Sequence, residues 1–282
     1  IDAISMASKN CFDYYKMGTE FGGIGPGKIA DILILDDYKK IKINKVILGG
    51  KIVVSNGKIL EIIHSPKIPT WIQKTVKLPK LTTENFILTS KNNTEIVNII
   101  SMKTEIVTKK DTTDLSVKDS NVMASYDKDI WKVTAMDRTF GSKTKTIGFL
   151  KNFGADIGAF ASTWSFHEND MIVIGSNEKD MADAANKLVK SQGGLIVVKN
   201  RKTLASLPFQ MGGIISTDSI DKVTTNFTKI NDVLLDSGCK FKKPHLIPLF
   251  LPFLALPDIR IMYSGIVDVK ARKFIPTIQT TV

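Results

Sequence analysis

The chain has 282 residues, of which 43% are apolar, enough to bury one large core or two ordinary ones. Its net charge is +11, yet 35 of the 39 cationic residues are lysine and only 4 are arginine, dispersed along the whole sequence. Specific nucleic-acid readers depend on bidentate arginine contacts, so this composition argues for a solvated basic surface and against a specific nucleic-acid partner. No apolar run reaches the roughly 20 residues that span a bilayer, so no membrane partner is expected.

Residues 1–20 carry Ile4, Ala7, Cys11 and Tyr15 at helical spacing and are predicted to form a helix. They lack the regions of a signal peptide, which points to a cytoplasmic protein. Cys11 and Cys239 belong to no CxxC or Cys/His cluster, and both are expected to be reduced, buried thiols. Gly25-Pro26-Gly27 forms a turn into the short apolar run Ile32-Leu33-Ile34-Leu35. Lys45-Val46-Ile47-Leu48 and Lys51-Ile52-Val53-Val54 follow, punctuated by Gly49-Gly50 and Asn56-Gly57, so residues 28–63 are expected to be short antiparallel strands. Pro66, Pro69 and Pro79 and the lack of periodicity mark a connecting segment, with Trp71 as its anchor.

Glu95–Met102 is β-branched and reads as a strand whose pairing Thr104–Thr108 continues. The stretch from Lys109 to Asn121 is polar. Ile130–Met136, 147–152, 157–165 and Met171–Gly175 are predicted strands. Ser176 or Asn177 caps a helix with its apolar face at Met181, Ala184, Ala185, Leu188 and Val189. Gly193-Gly194 ends that helix, and Leu195–Val198 is the next strand, completing a β-α-β pattern with a right-handed crossover if the two strands are parallel. Ser219–Ser237 is a long helix closed by Gly238, and Pro248–Pro257 is an apolar, proline-rich tail.

The glycine, strand and Asn-Gly pattern of residues 22–57 resembles the end of an amidohydrolase-superfamily enzyme, where the chain leaves a metal-bearing barrel for a small β-sandwich. Further on come Ala135-Met136-Asp137-Arg138, Ile147-Gly148-Phe149, Gly158–Thr163, Ile172–Ala182, Gly193-Gly194 and Leu251–Pro257. In this order and spacing they resemble the C-terminal region of the adenine deaminases of that superfamily, over nearly the whole chain. The resemblance implies an α/β (α+β) fold. Residues 1–20 would be the last helix of a barrel absent from this chain, 21–65 β-sandwich strands, 66–93 a connecting segment, and 94–282 a C-terminal mixed-sheet domain.

The resemblance also implies a purine-salvage hydrolase acting on adenine through hydroxide activated by a divalent metal, manganese or iron. It further implies an upstream amidohydrolase barrel as partner and a homodimer. Such a metal site takes several histidines, whereas the chain has only His64, His167 and His245, with no His-x-His. The metal ligands are therefore expected outside this chain, which alone is expected to be inactive.

Where the family carries Ser-His-Asp-Ser-His-Asn, this chain has Ser165-Phe166-His167-Glu168-Asn169-Asp170, so the family histidines fall on Phe166 and Asn169. An Asp-Arg-His run corresponds to Asp137-Arg138-Thr139. Ser165, His167, Glu168, Asn169 and Asp170, just before a buried-type strand, are the candidates for the substrate-pocket wall. Asp137 and Arg138 join them, either there or as an ion pair. His64 reads as a surface residue and His245 as structural. Gly212-Gly213 is a turn or a backbone loop near the site. The alternatives are a non-catalytic purine-binding or scaffold module and, more remotely, a basic RNA-binding module; the second lacks an aromatic-basic motif or arginine cluster.

Overall fold

Ser8 breaks the predicted first helix. Its hydroxyl donates back to the Ile4 carbonyl at 2.6 Å, competing with the backbone ladder. The result is two short helices, α1 (Asp2–Met6) and α2 (Lys9–Tyr14), instead of one over 1–20. The computed structural model describes residues 1–61 and 67–279, so the predicted surface position of His64 lies outside the described residues. The chain divides into two compact units, Ile1–Lys67 and Ile68–Val282.

In the first unit, β1 (Ile32–Asp37), β2 (Lys42–Leu48), β3 (Lys51–Ser55) and β4 (Lys58–Ile59) form an antiparallel sheet in sequence order, as predicted. Asn56 and Gly57 both take positive φ, 50° and 74°, the conformation that a two-residue hairpin requires. None of the described residues in 1–61 is buried, and Ile4, Phe12, Phe21, Ile29, Leu33 and Ile41 line an open apolar cleft. Cys11 is exposed, contrary to expectation, because the unit has no core to receive it; Cys239, in the second unit, is buried.

The second unit contains β5 (Thr94–Met102), β6 (Thr108–Lys118), β7 (Asn121–Val122), β8 (Ile130–Met136), β9 (Lys145–Lys151), β10 (Ala159–Ser162), β11 (Met171–Gly175), β12 (Gly194–Lys199) and β13 (Lys202–Pro208). They make one sheet in the order β13-β12-β10-β11-β8-β9-β5-β6-β7. All its neighbours are antiparallel except β5 and β9. The sheet is mixed, so the fold is of the α+β type.

Both faces are covered, and the strands partition residue by residue. Phe160, Ile172, Ile174, Leu195 and Val197 face one core, with Ile230 and Leu234 of α4 (Ile220–Asp236) and Ile247 of α5 (Leu246–Phe250). Ala159, Ala161, Met171, Val173, Ile196 and Val198 face the other, against Met181, Ala184, Ala185 and Leu188 of α3 (Glu178–Ser191). Burial on both faces explains why these strands read as unbroken apolar runs. Asn177, not Ser176, caps α3, accepting from the Asp180 amide at 2.8 Å. A separate three-stranded antiparallel sheet, β14 (Ile259–Met262), β15 (Gly265–Asp268) and β16 (Lys273–Ile275), packs onto the α4 side through Ile259, Ile261 and Ile266.

Three readings are corrected by this arrangement, and the β-α-β pattern is found with its two strands parallel and a third strand between them. β11 and β12 run in the same direction but are not adjacent, because β10 pairs antiparallel with both and lies between them. The short Ala159–Ser162 run has two apolar faces to bury, which an interior position provides. The polar stretch Lys109–Asn121 is largely strand β6, paired with β5 from Thr94↔Ser116 to Met102↔Thr108; its alternating, threonine-rich pattern suits a strand with one wet face. Thr104–Val107 is the turn before it, with the Thr104 hydroxyl accepting from the Ile106 and Val107 amides. Finally, residues 68–93 are no mere connection. Trp71 is 74% exposed and anchors nothing, while Val76, Leu81 and Phe86 are buried against α3. The Asn186 side chain fixes Leu81 through both its amide (2.9 Å) and its carbonyl (2.8 Å).

His245 is structural, as read. It is buried beside Phe227, with Nδ1 2.7 Å from Asn231 Oδ1. Burial, helped by Lys243, lowers its pKa to about 4. The unfolded chain therefore takes up this proton near pH 6.5 and the folded chain only near 4, so stability is lost as pH falls through that window, by up to roughly 3 kcal/mol. A His245→Gln protein is expected to lose less stability than the parent between pH 6.5 and 4. Parallel urea-midpoint curves for the two would exclude His245 as the origin.

Candidate functional site

The last pair of the β8–β11 ladder is Met136↔Met171, so Asp137 and Asp170 stand opposite one another just beyond it. This end of the sheet gathers most of the predicted site residues. Ser165, Asp170, Asp137 and Arg138 are buried, Glu168 is half-buried, and His167 and Asn169 are exposed.

Asp137 is committed to its own turn. Its carboxylate accepts from the amides of Thr139, Phe140 and Ser142, each at 2.9 Å. Burial pushes its pKa up, but these bonds together with the Ser142 hydroxyl outweigh it and hold the group below its ordinary value. Of the two roles open to Asp137 and Arg138, an ion pair between them is not formed among the described residues, because consecutive residues leaving a strand point to opposite sides. Instead the Arg138 guanidinium donates to the carbonyls of Gly212 and Thr163, each at 3.2 Å, while Nε has no partner among the described residues. Burial brings its pKa down to about 10, against the attraction of Asp170, so it remains a cation at neutral pH.

Gly212-Gly213 thus forms a backbone loop at the site. Gly213 has φ +72°, and a Cβ there would lie 2.6 Å from Arg138 Nη1, so neither the conformation nor the space admits a side chain. Thr163 closes the corner, its hydroxyl donating to the Gly213 carbonyl at 2.6 Å and accepting from the Gly194 amide at 2.7 Å. Residues 72–77 brace it from outside: the Lys77 amide donates to the Arg138 carbonyl, and the Gly212 amide to the Ile72 carbonyl, both at 2.7 Å.

The loop from Trp164 to Asn169 is closed by the Ser165 hydroxyl donating to the Asp170 carbonyl at 2.8 Å. Asp170 Oδ2 accepts from the Tyr263 amide at 2.8 Å, while Oδ1, like Glu168 Oε2, is buried and accepts no bond among the described residues. Burial raises the Asp170 pKa to about 7; the Tyr263 amide and Arg138 oppose this, and the charges of Glu168 and Asp137 add to it. Tyr263, in the β14–β15 turn, has its phenol pKa raised mainly by Glu168. Tyr263 and Thr163 escaped the sequence reading of the site; a tyrosine in an Xaa-Tyr-Ser-Gly turn carries no signal of such a contact. Among the described residues no three His, Cys, Asp or Glu side chains group to hold a metal ion, so these residues do not fit the manganese or iron that the resemblance implies.

A three-layer mixed-sheet domain with a buried, carboxylate-rich corner at one strand end is the class that fold and site define. Residues 105–273 match the family model for the adenine deaminase C-terminal domain, and the chain belongs to that family. It is 51% identical over 278 residues to a protein named adenine deaminase from Cenarchaeum symbiosum (strain A), covering 99% of this chain and 46% of that protein. Adenine deaminases of Clostridium botulinum (strain ATCC 19397 / Type A) and Moorella thermoacetica are 31% and 28% identical, over 98% and 99% of the chain and 46% and 47% of their own lengths. The chain thus spans about half the length of the curated relatives it matches. Among the described residues no helix is long and apolar enough to cross a membrane.

Proposed function

We propose that this chain is the C-terminal part of an adenine deaminase, a hydrolase that converts adenine and water to hypoxanthine and ammonia. Water oxygen bonds to C6 and the exocyclic C6–N bond breaks. One water proton leaves on ammonia and the other stays on the purine. The observation that carries this reading is the 51% identity to an adenine deaminase along 99% of the chain. The first unit supports it: helices and a sheet without one buried residue among 1–61 need a further surface to cover them, and the relatives contain about as much chain again.

In this reading the metal, manganese or iron, is held by an upstream amidohydrolase barrel outside this chain. The chain supplies a wall of the adenine pocket. Asp137 and Arg138 fix its floor, Ser165 and Asp170 hold the loop, and His167, Glu168 and Asn169 line its mouth. The enzyme works in the cytoplasm as a homodimer, and residues 1–282 alone are inactive. Phe166 and Asn169, standing where the family carries histidines, favour a second reading, a purine-binding module without turnover.

The test is an assay of the natural full-length polypeptide with adenine and manganese or iron. Equal amounts of hypoxanthine and ammonia are expected; adenine binding without turnover would favour the second reading. In the active protein, His167→Ala and Glu168→Ala are each expected to lower kcat/KM about tenfold or more, equivalent to ~1.4 kcal/mol or more of transition-state stabilisation. Unchanged kinetics in both would remove the loop from the pocket.

A further inference from the structure

We propose that Phe166 is a positioning residue that stacks against the planar base of the substrate, an inference that rests on the adenine deaminase reading. Its amide donates to the Leu249 carbonyl at 3.0 Å, which pins the loop to α5. Its ring is braced edgewise by Phe250 (centroids 5.1 Å apart, planes at 70°) and obliquely by Phe253 (5.1 Å, 48°). Although fixed on these sides, it stays 40% exposed beside a run of polar residues.

The two positions that shape this loop after Phe166 are not glycine yet take left-handed φ, His167 at +74° and Asn169 at +56°. Strain of this kind persists where the surroundings over-determine it, commonly at ligand sites. Two residues from the ring, the buried Glu168 Oε2 accepts no bond among the described residues. A buried acceptor held without a donor is destabilising unless something it binds supplies one. An immobilised aromatic ring and, two positions further along the same loop, a buried acceptor without a donor match a ligand with a π face and N–H donors on its edge, which is the chemistry of an aminopurine. Stacking on an aromatic ring is sequence-tolerant and needs no charge, so a phenylalanine is sufficient to hold a planar base.

Steady-state kinetics of the full-length protein on adenine test the inference. Phe166→Leu keeps apolar contact with Phe250 and Phe253 but removes the π face; a rise in KM of about tenfold is expected with kcat within twofold. Phe166→Trp restores an aromatic face and is expected to bring KM back to within about threefold of the parent. Melting curves of both variants separate this from a packing role, which would move stability and leave KM alone. Turnover by the parent with KM unchanged in Phe166→Leu, or with kcat alone reduced, overturns the inference by itself. No turnover by the parent overturns the deaminase reading and this inference with it.

Discussion

Arg260→Met is expected to destabilise the second unit by about 3–5 kcal/mol, the size of loss that follows when a buried charged hydrogen-bond donor is removed. Arg260 is 1% exposed, yet no carboxylate lies within ion-pair distance among the described residues. Its guanidinium serves backbone carbonyls instead: Ile106 and Phe250 from Nη1 at 3.1 Å each, Pro257 from Nη2 at 2.8 Å, and Leu256 from Nε at 3.4 Å. These come from the β5–β6 turn, the last residue of α5 and the proline-rich stretch that follows it. That stretch cannot satisfy its own carbonyls, because prolines 252 and 257 lack amides and α5 is only five residues long. One planar donor fork therefore does what a longer helix would do for itself. Methionine fills part of the volume but leaves the carbonyls without a donor. Lysine is expected to recover less than half of the loss, since a single ammonium cannot reproduce the fork. Urea unfolding at neutral pH measures this directly. A midpoint shift worth under about 1 kcal/mol at constant m would show that the carbonyls find other donors.

Asp170→Asn is expected to stabilise the protein at pH 8 and to make no difference near pH 4. In the unfolded chain this carboxyl titrates near 3.8, whereas in the folded protein its pKa is raised to about 7. The folded state thus binds the proton more tightly. Asp170's contribution is fully present below about pH 4, declines as pH rises towards 7, and stays lost above it. The shift corresponds to at most about 4 kcal/mol. Asparagine keeps an oxygen for the Tyr263 amide without bringing a charge beside Glu168 and Asp137. A gain of about 1–3 kcal/mol at pH 8, shrinking to zero by pH 4, is expected from chemical denaturation across this range. A difference independent of pH would refute the assignment. His245 gives the opposite slope, so comparing the two variants separates a carboxyl held neutral from an imidazole held neutral. If Asp170 also lines the adenine pocket, the stabilised variant should turn adenine over more slowly, the usual exchange of stability for a strained site.

The resemblance to the adenine deaminases was legible from the order and spacing of short motifs, and the family match over 105–273 agrees with it. So were the local elements. Asn56-Gly57 specifies a tight turn, Ser176-Asn177 and Ser219 mark the starts of α3 and α4, with the structure selecting Asn177 of the first pair, and unbroken apolar runs mark strands buried on both faces. Each of these rests on interactions within a few residues, which a sequence displays directly.

The site was legible only in part. Ser165, Glu168 and Asp170 could be singled out by their run before a buried strand, but what they touch could not. Arg138 reaches Gly212 and Thr163, 74 and 25 positions away, and Asp170 meets Tyr263 across 93. The pairing of Asp137 with its neighbour Arg138 was the natural local guess; strand geometry sends the two side chains apart. Likewise, local pattern alone identified β11, α3 and β12, but only the tertiary structure put β10 between the two strands and laid residues 68–86 across α3. Propensity and capping are properties of neighbouring residues. Which strand lies beside which, and which buried carboxyl is left without a donor, depend on how distant segments divide the apolar surface among themselves, a choice made collectively when the layers close.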